Sequence, residues 1–454
     1  MSQHQSGIVA IVSFWRKQLL IWFMLGATVA VLPIAFASPA AAQQNCNAPL
    51  GWWESKGLDP FFLNPNGPAP TTACDFELWS WSAFVHWMQR DPKTGLPLFL
   101  LLPTFNDLKP DAALPATLQA AASLVHQRPL RLLPRNAQPQ SLGSFEQAGP
   151  GGVLVDQAGR AVYYTTHMDP IYFAFTQKYF GPKSYLKASP TLDYPIGATV
   201  MKSSWRIVRP GEDTSKLYTT TAIVPKLVNA GDGKLKTSDQ TETDTVALIG
   251  VHMVGIVKDH PEFVWGTFEL PGTAPDLPAG MDPHSPNPVS AQDFALYKGG
   301  TAADQCNYLP NKMSIDEATQ AITPITNVFQ EFADGGATPQ STADVLASSN
   351  TNFQSAIPNH KDKLDPVFAN FRLTGSTWLL ANTLKPGDGQ MDTEAIGSID
   401  LANATMETFV QGAGTNCFSC HRTSGGSTYP GKNINISHII TSQLHLPAAI
   451  LQAR

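Results

Sequence analysis

Cys417-Phe418-Ser419-Cys420-His421 stands 33 residues from the end of a 454-residue chain and constrains it more than any other stretch. Positions i, i+3 and i+4 share one face of a helical turn. Two thiols on that face reach the vinyl groups of a haem while the adjoining imidazole reaches its iron, which is the c-type attachment pattern. Two other chemistries use paired cysteines. A redox dithiol pair sits between the strand and the helix of a βαβ unit, whereas Gln411-Gly412-Ala413-Gly414 before this motif reads as a helix end. A structural zinc site asks for two further ligands at short spacing, and the other cysteines, Cys46, Cys74 and Cys306, form no second close pair. The motif therefore predicts one covalent haem c on Cys417 and Cys420, with His421 as the proximal iron ligand.

Attachment of this kind takes place outside the cytoplasm, and the N-terminus agrees. Arg16 and Lys17 precede an apolar run from Leu19 to Ala37, and Ala40-Ala41-Ala42-Gln43 supplies small residues for a signal peptidase. Residues 1–42 are expected to be a cleaved signal peptide, leaving a protein in the periplasm with no stable membrane insertion. Residues 43–395 then form a large body and 396–454 a haem segment packed on it. Net charge is −6, which offers no basic field for nucleic acid or anionic lipid. With 34 Gly and 37 Pro, the chain favours long loops between short strands over a helical bundle. An oxidising compartment allows one disulfide among Cys46, Cys74 and Cys306, and the sequence leaves its pairing open.

Along the chain, Asp75 to Arg90 has Phe76, Trp79, Ala83, Phe84, Trp87 and Met88 at three- and four-residue spacing and reads as a helix, its tryptophans packing an apolar face. Residues 112–132 read as helix, 134–152 as loop, 153–164 as a hairpin and 170–180 as a short helix. Strands are expected over 198–208, 218–227, 246–257 and 263–270, the last two as an antiparallel hairpin. The polar stretch 229–245 and the proline-rich 271–290 read as loops. Residues 314–332 and 401–410 read as helices, 367–380 as strand-like or irregular and 386–392 as a turn. The expected class is α+β: a loop-rich body with an antiparallel sheet and peripheral helices, plus a short helical cytochrome c-like segment.

Three ionisable residues, Lys202, His252 and Glu269, fall inside apolar strands, where a charge is costly unless paired. They form either an internal ion-pair network or a polar pocket whose His252 and Glu269 serve as acid and base beside the haem. For the second axial position, His438 follows His421 by 17 residues within an apolar tail segment, and the alternatives are Met406 or an open position. Asp388, Gln390, Asp392 and Glu394 alternate like calcium ligands but lack the glycine and the final acid of such a loop. No nucleotide-binding glycine loop, zinc-protease motif or nucleophile elbow is present.

Lys202-Ser203-Ser204-Trp205-Arg206, Gly250-Val251-His252-Met253, Trp265-Gly266-Thr267-Phe268-Glu269, the run from Leu401 to Phe409, and the terminal motif with Ser437-His438-Ile439 together resemble a group of secreted bacterial monohaem c-type cytochrome proteins. The resemblance extends from about residue 75 onward. It implies haem c, export and electron transfer to a periplasmic redox partner, and it implies that residues 200–270 and the haem segment belong together. The expected function is one-electron transfer. The alternatives are a haem-dependent oxidoreductase, peroxidase-like or with an organic substrate on the large body, and a haem-based small-ligand sensor.

Overall fold

A computed structural model of the chain describes residues 46–48, 53, 68–104, 107–108, 140–142, 144–149, 151–180, 194–336, 340–380 and 395–421. The leader at 1–42, the helix expected over 112–132, the turn at 386–392 and His438 lie outside these residues. In chain order the described elements are α1 (Ala73–Met88), β1 (Gln140–Ser141), β2 (Tyr163–Met168), α2 (Pro170–Phe180), β3 (Thr199–Ile207), β4 (Thr219–Gly231), β5 (Lys234–Val257), β6 (His260–Glu269), β7 (Ser314–Asp316), β8 (Ala321–Thr323), α3 (Gln340–Ala356), β9 (Arg372–Leu379), β10 (Ala395–Gly397) and α4 (Cys417–Cys420). The mixed class with a mostly antiparallel sheet is as expected.

Eight strands form the main sheet, in the order β1-β4-β5-β6-β9-β10, with β3 beside β5 and β2 beside β3. Every pairing is antiparallel except β1 on β4. The spine is β5, whose 24 residues pair with β4 in their first half and with β3 and β6 in their second. Its polar first half is where residues 229–245 were expected to be a loop. Asp232 and Gly233, both at positive φ, instead close a tight hairpin, and Thr-rich alternation carries a ribbon that buries little on either face. Residues 314–332 are likewise not helical. Ile315 and Ile322 point inward from the short hairpin β7–β8, and Pro324 then bars a helix. The hairpin expected at 153–164 is a short one, a Val155–Ala161 bridge flanked by Val162 N–H to Leu154 carbonyl and Asp156 N–H to Arg160 carbonyl bonds, and Tyr163 onward pairs with β3.

The sheet has two differently covered faces. α1 opens with a reciprocal cap in which the Thr72 hydroxyl accepts the Asp75 N–H and the Asp75 carboxylate accepts the Thr72 N–H. It is buried on nearly every side, so its tryptophans serve packing. Trp81 stacks on Phe353 of α3 with ring centroids 5.0 Å apart and meets Phe268 of β6 edge-on at 4.9 Å. Gly266 and Gly255 let the helix close on the strands: a Cβ at Gly266 would strike Ser80, and one at Gly255 would lie 2.7 Å from the Trp79 ring. A disulfide joins Cys46 to Cys74 at the start of α1, and Cys306 is a buried thiol. Among the described residues, no helix is long and apolar enough to cross a membrane.

Candidate functional site

The opposite face carries the segment that leads into the motif. The alternation of β3, β5 and β6 places Lys202 and Ser204, Gly250, His252, Val254 and Ile256, and Trp265, Thr267 and Glu269 together on it. Gly250 sits opposite Glu269, His252 opposite both Lys202 and Thr267, and Val254 opposite Trp265. The polar end of this surface grips residues 398–410, and the apolar end receives α4.

The grip explains why 401–410 is not the expected helix. Asn403 donates from Nδ2 to Thr267 Oγ1 at 2.9 Å and to the Phe268 carbonyl at 3.0 Å. Its Oδ1 accepts the Thr405 N–H and hydroxyl, while its own N–H goes to Glu407 Oε2 at 2.9 Å. Such local side-chain bonds satisfy the backbone in a non-helical path, and only Thr408–Val410 forms a 3-10 turn. Thr405 also meets Ser204 at 2.6 Å and accepts the Tyr164 hydroxyl on its carbonyl at 2.7 Å. A side chain at Gly250 has no room, since a Cβ there would lie 2.5 Å from Thr405 Oγ1 and 3.0 Å from Asn403 Oδ1.

The three ionisable strand residues share this face but not one partner. His252 Nε2 lies 3.1 Å from Glu407 Oε1. Burial pushes the Glu407 carboxyl upward, but His252 and then Lys202 outweigh it and hold Glu407 below the ordinary carboxylate range. Lys202 is lowered by burial, against the pull of Glu407, and its ammonium donates to the Gln147 carbonyl at 3.3 Å and lies 5.4 Å from the Tyr164 ring centre. Glu269 is engaged elsewhere: it accepts the Ala404 N–H at 2.6 Å and a Gln330 amide hydrogen, and Arg372 stands 3.5 Å away. Burial raises Glu269 above its ordinary value. The bonding given to these residues is that of a network fastening the segment to the sheet. Glu407, Asn403 and Thr405 are the members that sequence reasoning missed, although Asn403 and Thr405 are cap-forming types inside a supposed helix.

At the apolar end, Asn416 caps α4 through the Phe418 N–H, and Ser419 returns a bond to the Asn416 N–H. The Leu401 N–H donates to the Thr415 carbonyl at 2.9 Å and Asn416 Nδ2 to the Ile399 carbonyl at 3.2 Å, tying the turn to the gripped segment. Phe418 is fully buried in a cluster with Val254, Ile256, Phe263, Trp265 and Leu379, against which Cys417 packs. Cys417 is half-buried and Cys420 exposed. The His421 ring lies on Trp265, centroids 4.4 Å apart and planes 41° apart. Met406 is buried in the main core, a different cluster from the one that Cys417 joins.

Burial, and next the charge of Glu407, push the Cys417 thiol well above its ordinary value. A catalytic dithiol needs the opposite shift. Among the described residues, no group of three or more His, Cys, Asp and Glu side chains could hold a metal ion. The donor set at α4, two cysteine thiols and one imidazole, is of the kind that covalent haem attachment uses. Comparison of the chain with protein-family models, with curated proteins and with solved structures finds no match.

Proposed function

We propose that the protein is an exported c-type cytochrome of the periplasm that carries one covalent haem and passes single electrons to a redox partner protein. The observation that carries the reading is the Cys417-Phe418-Ser419-Cys420-His421 turn, capped at Asn416 and anchored by Phe418 in the sheet, with one thiol half-buried and the other exposed. In this reading Cys417 and Cys420 would hold the haem covalently, and His421 would ligate its iron together with His438, Met406 being the alternative to His438. The haem supplies the one-electron couple. The chain contributes a stiff hydrogen-bonded base, which limits the rearrangement that accompanies a change of charge.

A second reading is a haem-dependent oxidoreductase, and the contact of His252 with Glu407, whose charge bears on Cys417, is what favours it. The acid and base pair would then be His252 with Glu407 in place of Glu269, whose acceptor atoms are committed to Gln330, Ala404 and Arg372.

Intact mass of protein recovered from the periplasm should show one haem-sized increment that survives acid-acetone extraction and is lost in the Cys417→Ala, Cys420→Ala double variant. Unmodified cysteines in the wild type would end the cytochrome reading. Ferrous protein that stays low-spin under CO favours electron transfer. CO binding turns the choice to the oxidoreductase or to a ligand sensor.

A further inference from the structure

Trp265 occupies the middle of β6, with Val254 of β5 on one side and Thr377 of β9 on the other. Paired strands on both edges fix its backbone, and its side chain is 8% exposed. The indole lies on the His421 ring and meets Phe418 edge-on at 6.5 Å. A ring contact at 4.4 Å, tilted by 41°, restricts the torsion of the imidazole, so Trp265 limits the orientations that His421 can present.

The indole has a second property. Its Nε1 is buried and, among the described residues, has no hydrogen-bond partner, an unfavourable state for a donor removed from water. Trp79, Trp81 and Trp87 of α1 share that condition, but they belong to the main core, whereas Trp265 is in ring contact with the attachment turn. A haem brings two carboxylates with it, acceptors of the kind this N–H lacks.

We propose that Trp265 is a positioning residue of the haem site: its ring orients the His421 imidazole and its indole N–H donates to a carboxylate of the bound haem. This rests on the cytochrome reading above. The charge of a haem carboxylate stabilises oxidised iron, and a donor to that carboxylate offsets the effect. Loss of the donor therefore lowers the midpoint potential.

The test uses the full-length exported protein with Trp265→Phe, which keeps an aromatic plane and removes the donor, and Trp265→Ala, which removes both. Haem content by mass is measured beside the potential and the low-temperature electron paramagnetic resonance of the ferric form. Both variants should retain covalent haem. Trp265→Phe should shift the potential downward with the ferric g-values unchanged, and Trp265→Ala should also shift or broaden those g-values. Should the alanine variant fail to accumulate, the phenylalanine variant alone decides the donor, and a Trp265→His variant, which restores an N–H, should recover part of the shift. Haem-loaded Trp265→Phe with the wild-type potential overturns the inference. A wild type without covalent haem overturns the reading beneath it, so the two failures are separate.

Discussion

On the α1 side of the sheet Trp81, Phe84, Phe268 and Phe353 meet ring to ring. On the far side Asn403, Thr405, Glu407, Thr267 and His252 meet through hydrogen bonds. The same strands supply both surfaces. The aromatic face gains chiefly from area removed from water, a contribution that is non-directional. The polar face gains little net energy per bond but tolerates only one arrangement, because each missing partner leaves a buried group unmet. The difference suggests a division of labour in which one face supplies stability and the other supplies the position of the chain that leads to the motif.

The comparison breaks most clearly at Trp81. Trp81→Ala should cost about 3–5 kcal/mol, read from the chemical denaturation midpoint. A loss no larger than a surface substitution gives would mean that the aromatic face is not the main source of stability. Next in size, Gly250→Ala drives a methyl into Thr405 and Asn403 and should cost about 1–3 kcal/mol, with faster limited proteolysis between residues 398 and 410. Unchanged proteolysis would show that the segment is held by something other than this network.

The third effect is one of pH, smallest when read over a single pH unit, and the two faces give it opposite signs. Glu77 of α1 is buried, among the described residues only Ser376 donates to it, and burial pushes its carboxyl up to about 8. The folded chain keeps that proton over a range where the unfolded chain has lost it. The Glu77 contribution is therefore complete below about 4.5 and declines as pH rises toward about 8, by at most ~1.4 kcal/mol per pH unit. Glu407 is held low, so its contribution is present above the ordinary carboxylate range and is lost as pH falls through its lower folded value. Stability followed from pH 5 to 8 should fall less steeply in Glu77→Gln than in wild type. Parallel curves would remove Glu77 as a source of the slope.

Much of the aromatic face was legible in the sequence because burial writes itself as spacing. Phe76, Trp79, Phe84 and Trp87 announced α1 to within two residues, and the apolar runs of β5 and β6 announced their hairpin. α3 escaped, although Val345, Leu346, Ser349 and Phe353 mark one helical face, because so few of its residues are apolar. The polar face was half legible. Lys202, His252 and Glu269 stood out as charges among apolar neighbours, but their partners Glu407, Gln330 and Arg372 lie 61 to 205 residues away and carry no mark of the pairing. The run from Leu401 to Val410 imitates helical spacing, and only contact with Thr267, Ser204 and Glu269 decides otherwise.

β6 belongs to both surfaces at once. Val264, Gly266 and Phe268 face the aromatic core, while Trp265, Thr267 and Glu269 face the segment that ends in the motif. Because a strand alternates strictly, deleting one residue before Val264 would trade the two sets, burying Glu269 among rings and offering His421 a glycine in place of an indole. Stability and site are thus written in one reading frame, and drift in the length of this strand is closed to the chain even where drift in its composition is open.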